Sequence, residues 1–401
     1  MRILNVSAQK PDSTGSGTYL SALVRSELAA GHEAAVVCAI DDGDPLDAVP
    51  AGAAVYPVRF CTGELPFHVC GMSDVMPYPA TRYRDLTPAM EEAFVRAFSR
   101  TVRRAVAGLR PDVVVCHHLY LATSVVREVV DGIPVVAVSH STDLRQLRQH
   151  GLGRDRIVPA VRALDGVCAL HDAQVEEIAD VFSIDPGAVT VVGVGYDPQV
   201  FHPDPAVPRD PGSLLFVGKV CRAKGVPSLL AAVSCLEREG RGPSRLRLAG
   251  GWGSAQAECD AIRATAEGLS TPVEFLGRLD PASLAAEYRA ADTFVLPSFF
   301  EGLPLVAVEA LACGCKAVLT DLPGVRPWLA AGLPDAPVRW VAPPTVTDVD
   351  KPRPDELPAF EARLAGQLAA SLADPEPSLD ATALSWDAVL DRVLAASGAA
   401  M

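Results

Sequence analysis

Short apolar runs and amphipathic stretches alternate along this chain of 401 residues. "RILNVSA" reads as a buried strand, "TYLSALVRSELAAG" as an amphipathic helix closed by Gly31, and "EAAVVCAI" as the next strand. "PDVVVCHH" and "IPVVAVSH" repeat the pattern, each apolar run ending in polar residues, and "VCALH" and "VTVVGVG" complete it. Strands alternating with helices predict a parallel sheet with crossover helices.

The stretch 203–211, "PDPAVPRDP", is proline-rich and reads as a linker. The alternation then restarts with "SLLFVGK", "VPSLLAAVSCLERE", "RLRLAGG", "AECDAIRATAEG", "VEFLG", "PASLAAEYRAAD" and "TFVLPS". Two consecutive doubly wound α/β units follow from this pattern. Ligands of such units bind beyond the carboxyl ends of the strands, so the expected site is a cleft between domains. Two segments break the alternation: residues 60–87, aromatic and irregular, and residues 342–358, which look like an exposed loop. Loops longer than about 12–15 residues are commonly functional or disordered. The closing "SWDAVLDRVLAAS" is an amphipathic helix.

Composition narrows the class. With 49% hydrophobic and 21% charged residues the chain is globular. No run reaches the roughly 18–20 apolar residues of a membrane span. The opening "MRILNVSAQK" reads as a first strand rather than a leader peptide. Ten cysteines without a CxxC pair predict reduced thiols and a cytoplasmic location, and Cys313 and Cys315 lack zinc-site spacing. A net charge of −14 argues against nucleic acid and anionic lipid as partners.

Four stretches have candidate chemistry. In "STGSGTYL", Gly15 and Gly17 allow backbone amides to approach an anion at a helix N-terminus, although Leu20 stands where a dinucleotide fingerprint needs its third glycine. A plain turn explains it equally well. In "FVGKVCRAKGV", Lys219 and Lys224 flank a loop at a strand's carboxyl end, where two ammonium groups suit a diphosphate; a pair of solvated lysines is the alternative. In "SFFEGLPLVAVEALACGCKAV", Glu301, Gly302 and Leu303 precede a helix with Pro304 in its first turn, and Glu309 lies inside an otherwise apolar run. A carboxylate there must be paired, neutralised or aimed into a polar cleft. His140 in "VAVSHSTDL" ends a first-domain strand, and His117 and His118 have the same placement.

Together the E-x7-E spacing of Glu301 and Glu309, the "FVGKVCRAKG" loop, "VGVGYDPQVF" and the terminal "SWDAVLDRVL" resemble family 4 of the retaining glycosyltransferases. That resemblance implies the GT-B fold: two Rossmann-like domains facing a central cleft, residues 1–202 on the acceptor side and 203–377 on the donor side. A helix within 378–401 then returns to the first domain. It further implies that Glu309 accepts from ribose hydroxyls of a nucleotide sugar, that Glu301 holds donor-sugar hydroxyls beside the Gly302 and Leu303 amides, and that Lys219 and Lys224 neutralise the diphosphate. Gly15 and Gly17 would approach the same diphosphate, His140 would hydrogen-bond the sugar, and Arg278 and Leu279 would hold the base through their backbone. The expected activity is hexosyl transfer from a UDP-sugar to a hydroxyl of a small-molecule acceptor, with no cofactor and no metal. A phosphorylase, an epimerase or an inactive nucleotide-sugar-binding protein are the rivals. Tyr78 and Arg82, in the irregular segment, are the acceptor candidates; a membrane is not expected, and a homo-oligomer stays open. Lys219 stands where the family uses Arg, "TDLPGV" replaces its usual glycine pair, and the 342–358 insert replaces its downstream segment.

Overall fold

In the first unit, near-continuous Val, Ile, Ala and Leu runs make strands buried on both faces, which parallel pairing requires. Its strands are β1, Arg2–Ser7; β2, Glu33–Asp41; β3, Ala54–Phe60; β4, Val113–His117; β5, Val135–Val138; β6, Gly166–Ala169; and β7, Val189–Val191. They form one parallel sheet in the order β3-β2-β1-β4-β5-β6-β7. In the second unit, β8, Asp210–Val217; β9, Arg245–Ala249; β10, Val273–Gly277; β11, Ala291–Leu296; β12, Lys316–Thr320; and β13, Val338–Val341 pair in parallel as β10-β9-β8-β11-β12-β13. In each sheet the order reverses beside its first strand, at β1/β4 and at β8/β11. Loops leaving neighbouring strands diverge at such a point and open a crevice at their carboxyl ends.

The computed structural model describes residues 1–11, 14–73, 76–253, 256–347, 350–377 and 379–399. Its two units are Met1–Val194 with Trp386–Met401, and Gly195–Ser385. The helix Trp386–Ala396 therefore belongs with the first unit, where Trp386 meets Tyr19 of the helix Gly15–Ala29 edge-on at 4.9 Å. Ser26 bonds Asp387, and Arg392 Nε donates to Val192 O at 2.9 Å.

Several stretches differ from the sequence reading. Strand β3 was not distinguishable because Pro57 interrupts its pattern; it sits at the sheet edge, where a missing N–H is tolerated. The proline-rich 203–211 is not a loose tether, since Arg209 donates to the carbonyls of Ala291 and Cys313, and Asp210 already lies in β8. The irregular 60–87 contains a short parallel pair, Cys70–Gly71 with Thr81–Arg82. Within 342–358, Val346–Thr347 and Lys351–Pro352 pair antiparallel, and a tight turn, Pro354–Glu356, leads into the helix Leu357–Ala373. Residues 74–75 and 348–349 of these two segments lie outside the described residues. The ten cysteines are free thiols. No helix among the described residues is long and apolar enough to cross a membrane.

Candidate active site

In the second unit the two loops at the β8/β11 crossover are seated directly on each other. The turn Arg222–Lys224 follows β8, and its Ala223 carbonyl accepts from Phe299 N at 3.1 Å. Gly225 then takes φ +72°, and a Cβ there would stand 2.0 Å from Pro297 O, so only glycine allows this approach. The backbone fit places Lys224 Nζ 2.7 Å from Glu301 Oε1 and 3.4 Å from Phe300 O. The side chains of Lys224 and Glu301 are 27% and 15% exposed, so water screens this pair less than a surface one. The sequence reading gave these two residues separate ligands; they are each other's partner here.

Lys219 is exposed and its stem lies against Gly253. The loop after β9 closes on it from the other side: Val220 N donates to Gly251 O at 2.9 Å, and Gly250 N donates to Gly277 O at 2.7 Å. Gly250 has φ +140°, and a Cβ there would meet Gly218 O at 1.9 Å. Three strand exits are thereby tied side by side, with the exposed Arg278 and half-buried Leu279 on the third. The glycines of "LAGGWG" that make this possible were not singled out from sequence.

Glu309 lies on the helix Leu305–Ala312, which begins one residue beyond Pro304. Gly302 is exposed and Leu303 half-buried ahead of it. Glu309 accepts from the Tyr288 hydroxyl at 3.2 Å, and burial pushes its carboxyl up to about 7 despite that bond. Among the described residues no salt bridge is formed with Glu309; the Tyr288 hydroxyl is its side-chain partner. Tyr288 is fully buried, held edge-on by Phe201 and Phe294, with Cys315 Sγ donating to its carbonyl at 2.9 Å. It is the partner of Glu309 that the sequence reading missed; a tyrosine on the buried face of "PASLAAEYRA" was the available signal. A cavity of about 310 Å³ lies beside the lysine loop, lined by Cys221, Arg222, Ala223, Lys351 and Pro352 among others. The 342–358 insert thus borders that loop.

In the first unit, the β1/β4 crossover gathers three imidazoles. His140 Nε2 is 3.4 Å from His117 Nδ1, the two rings stack at 5.7 Å, and His118 lies 4.8 Å from His140. Tyr19 meets His117 and His140 edge-on. Asp143 fixes the backbone behind them, accepting from Leu119 N at 2.7 Å, Ser139 Oγ at 2.9 Å and His140 N at 3.3 Å. Burial keeps all three rings neutral, pushing His117 down to about 3 and His118 and His140 down as well.

The other first-unit residues are less free than expected. Gly15 opens its helix and is exposed, but the Gly17 N–H is taken by Thr14 Oγ1 at 3.1 Å; Ser13 of that stretch lies outside the described residues. Tyr78 is half-buried, its hydroxyl donating to Gln9 Oε1 at 3.2 Å and Lys10 Nζ lying 4.8 Å from its ring. Arg82 is exposed and paired with Asp85 at 2.6 Å. Tyr83, from the same irregular segment, is a core residue against Phe94 and Tyr120. On the helix Pro88–Leu109, Arg96 pairs with Glu92, Arg100 with Glu64, and Arg104 lies over Tyr56. Asp41, Cys61 and His68 bring metal-type donors together, but the Lys10 ammonium already occupies the Asp41 carboxylate at 3.1 Å.

Comparison with known proteins joins the two halves. Residues 13–200 match the model of Glycosyltransferase Family 4, and residues 211–347 match that of Glycosyl transferases group 1. The D-inositol 3-phosphate glycosyltransferase of Frankia alni is 33% identical over 295 residues, covering 65% of this chain and 72% of that one. The glycogen synthase of Mycobacterium tuberculosis is 29% identical over 338 residues, covering 81% and 79%. The solved structure of HepE from Anabaena in complex with UDP and glucose covers the whole of both chains with a TM-score of 0.60 at 14% identity, a likeness of fold. The chain belongs to the family 4 glycosyltransferases, and its two units have the GT-B fold.

Proposed function

We propose that the protein transfers a hexosyl group from a nucleoside diphosphate sugar, a UDP-sugar, to a hydroxyl of a small-molecule acceptor, with retention at the anomeric carbon and without a metal. The observation that supports this most is the junction at β8/β11, where Lys224 meets Glu301 beyond the strand ends, with Lys219 on the loop after β8 and Glu309 on the adjoining helix. The relatives named above point the same way: one is named for an inositol phosphate acceptor, one makes glycogen, and HepE was solved with UDP and glucose.

The roles follow from charge. As the anomeric carbon–oxygen bond breaks, negative charge grows on the departing diphosphate, and Lys219, Lys224 and the first-turn amides of the helix Leu305–Ala312 supply the opposing field. Glu301, released from Lys224, accepts from sugar hydroxyls, and Glu309 accepts from the ribose. The acceptor hydroxyl attacks the face the diphosphate leaves; its proton passes to a diphosphate oxygen, so the products are glycoside and nucleoside diphosphate. No side-chain nucleophile is used. Tyr78 and Arg82 contact the acceptor, and His140 meets a hydroxyl of the sugar.

The test is a panel of nucleotide sugars, scored by thermal shift and slow hydrolysis, with the anomer of any product read by NMR. A stabilising UDP-sugar and a product of retained configuration are expected. Binding of no nucleotide sugar, or an inverted product, rejects the proposal.

A further inference from the structure

Beneath His140 runs a chain of buried polar groups that the reaction as described does not use. Glu27, fully buried on the helix Gly15–Ala29, accepts from Asn5 Nδ2 through both carboxyl oxygens, at 3.0 and 2.9 Å. Asn5, fully buried in β1, turns its Oδ1 to His117 Nε2 at 3.4 Å, and His117 Nδ1 faces His140 Nε2 at 3.4 Å.

We propose that Glu27, Asn5 and His117 form a relay that fixes the tautomer of His140, so that its Nε2 holds the proton and its Nδ1 is a bare acceptor for a substrate hydroxyl. The logic is directional. Above about pH 8, where Glu27 is ionised, both of its oxygens can only accept and so select the NH₂ end of the Asn5 amide; the reversed amide would set oxygen against oxygen. Asn5 Oδ1 can only accept, so the His117 proton sits on Nε2. A neutral imidazole has one N–H, which leaves His117 Nδ1 as an acceptor. His140 must then donate from Nε2, and its Nδ1 keeps a lone pair. Burial of the rings, which disfavours imidazolium, supports the one-proton premise. The contacts are long for hydrogen bonds, so the relay acts by direction more than by strength. Glu27, Asn5 and His117 are positioning residues, and the consequence for chemistry rests on the reading that His140 meets the sugar.

The experiment reads protons directly. The full chain is labelled with ¹⁵N-histidine, and long-range ¹H–¹⁵N correlation of the rings at about pH 9, where Glu27 is ionised, assigns each tautomer, with a His140→Gln control to identify that ring. Both His117 and His140 are expected as Nε2–H; an Nδ1–H ring at His140 overturns the proposal without any further variant. Asn5→Leu with Glu27→Met removes both polar partners together, avoiding an unpaired buried carboxyl. It should mix the tautomers of both rings and slow transfer about tenfold with donor affinity changed less than twofold. If that pair does not fold, Glu27→Gln, which can donate to Asn5 and lets the amide turn over, should mix the tautomers instead. Unmixed Nε2–H rings in either folded variant sink the relay. Mixed tautomers with unchanged transfer keep the relay and reject contact of His140 with the sugar.

Discussion

Lys224 and Glu301 are held 2.7 Å apart although 77 residues separate them, because Gly225 lets the turn before the helix Val226–Arg238 sit on the Pro297 carbonyl. A cation assigned to the leaving group and a carboxylate assigned to the sugar therefore neutralise each other. On the proposed reading, diphosphate and sugar part them together, which couples the two halves of donor recognition.

Lys224→Ala should lower kcat/KM for the donor at least about tenfold, or about 1.4 kcal/mol of transition-state stabilisation. Glu301→Gln should do likewise, and the double variant should lose less than the sum, since each single change also frees its partner. Steady-state kinetics on folded protein decide it; wild-type turnover in Lys224→Ala removes Lys224 from the reaction.

Glu309 sets a pH dependence with a defined sign. Its folded carboxyl is raised to about 7 from an ordinary value near 4.5. The folded state therefore binds more protons between those values, and stability falls as pH rises through that window, then levels above about 7. Glu27, raised to about 8 by burial, adds a slope of the same sign, so the comparison is with Glu309→Gln. That variant should lose part of the slope between pH 4.5 and 7. Nucleotide affinity should tighten from pH 6 to 8 in the wild type, as the carboxylate forms, and stay flat in Glu309→Gln. Equal profiles for the two proteins reject a ribose role.

Two glycines should respond in opposite ways. Gly250→Ala forces a Cβ onto Gly218 O and should cost at least about 2 kcal/mol of second-unit stability, with weaker donor binding. Gly302→Ala meets no atom within 4 Å and should leave the melting curve unchanged. Calorimetry of both variants checks the contrast.

Under the proposed mechanism, in which lysines and helix amides supply the positive field, transfer should continue in excess chelator. Complete loss, restored by magnesium or manganese, would falsify the metal-free mechanism.

Tyr78→Phe and Arg82→Ala should leave slow donor hydrolysis intact while reducing transfer. Measuring both rates on each variant separates acceptor contact from donor binding; equal loss of the two rates moves these residues out of the acceptor site.

The two α/β units, the lysine loop and the Glu301–Glu309 spacing were legible because each is a local pattern of apolar runs, glycines and charges. Contacts between distant elements were not. Tyr288 lies 21 residues before Glu309 on another helix, and nothing in either segment announces the bond. Tyr83 shares its composition with a binding-site aromatic but is covered by Phe94, whose register in its helix decides the matter. Gly17 suits an anion-binding amide by sequence, yet Thr14 three residues earlier takes that N–H as a helix cap.

The helix Trp386–Ala396 belongs to a unit whose earlier residues end at Val194, and the whole of Gly195–Ser385 is translated between them. The ribosome must therefore complete the second unit before the first can receive its last helix. Until then the Tyr19 ring and Ser26 lack the partners Trp386 and Asp387. A chain stopped at Ser385 would have every strand of both sheets and still leave the first unit with an uncovered helix, a substrate for chaperones rather than for chemistry.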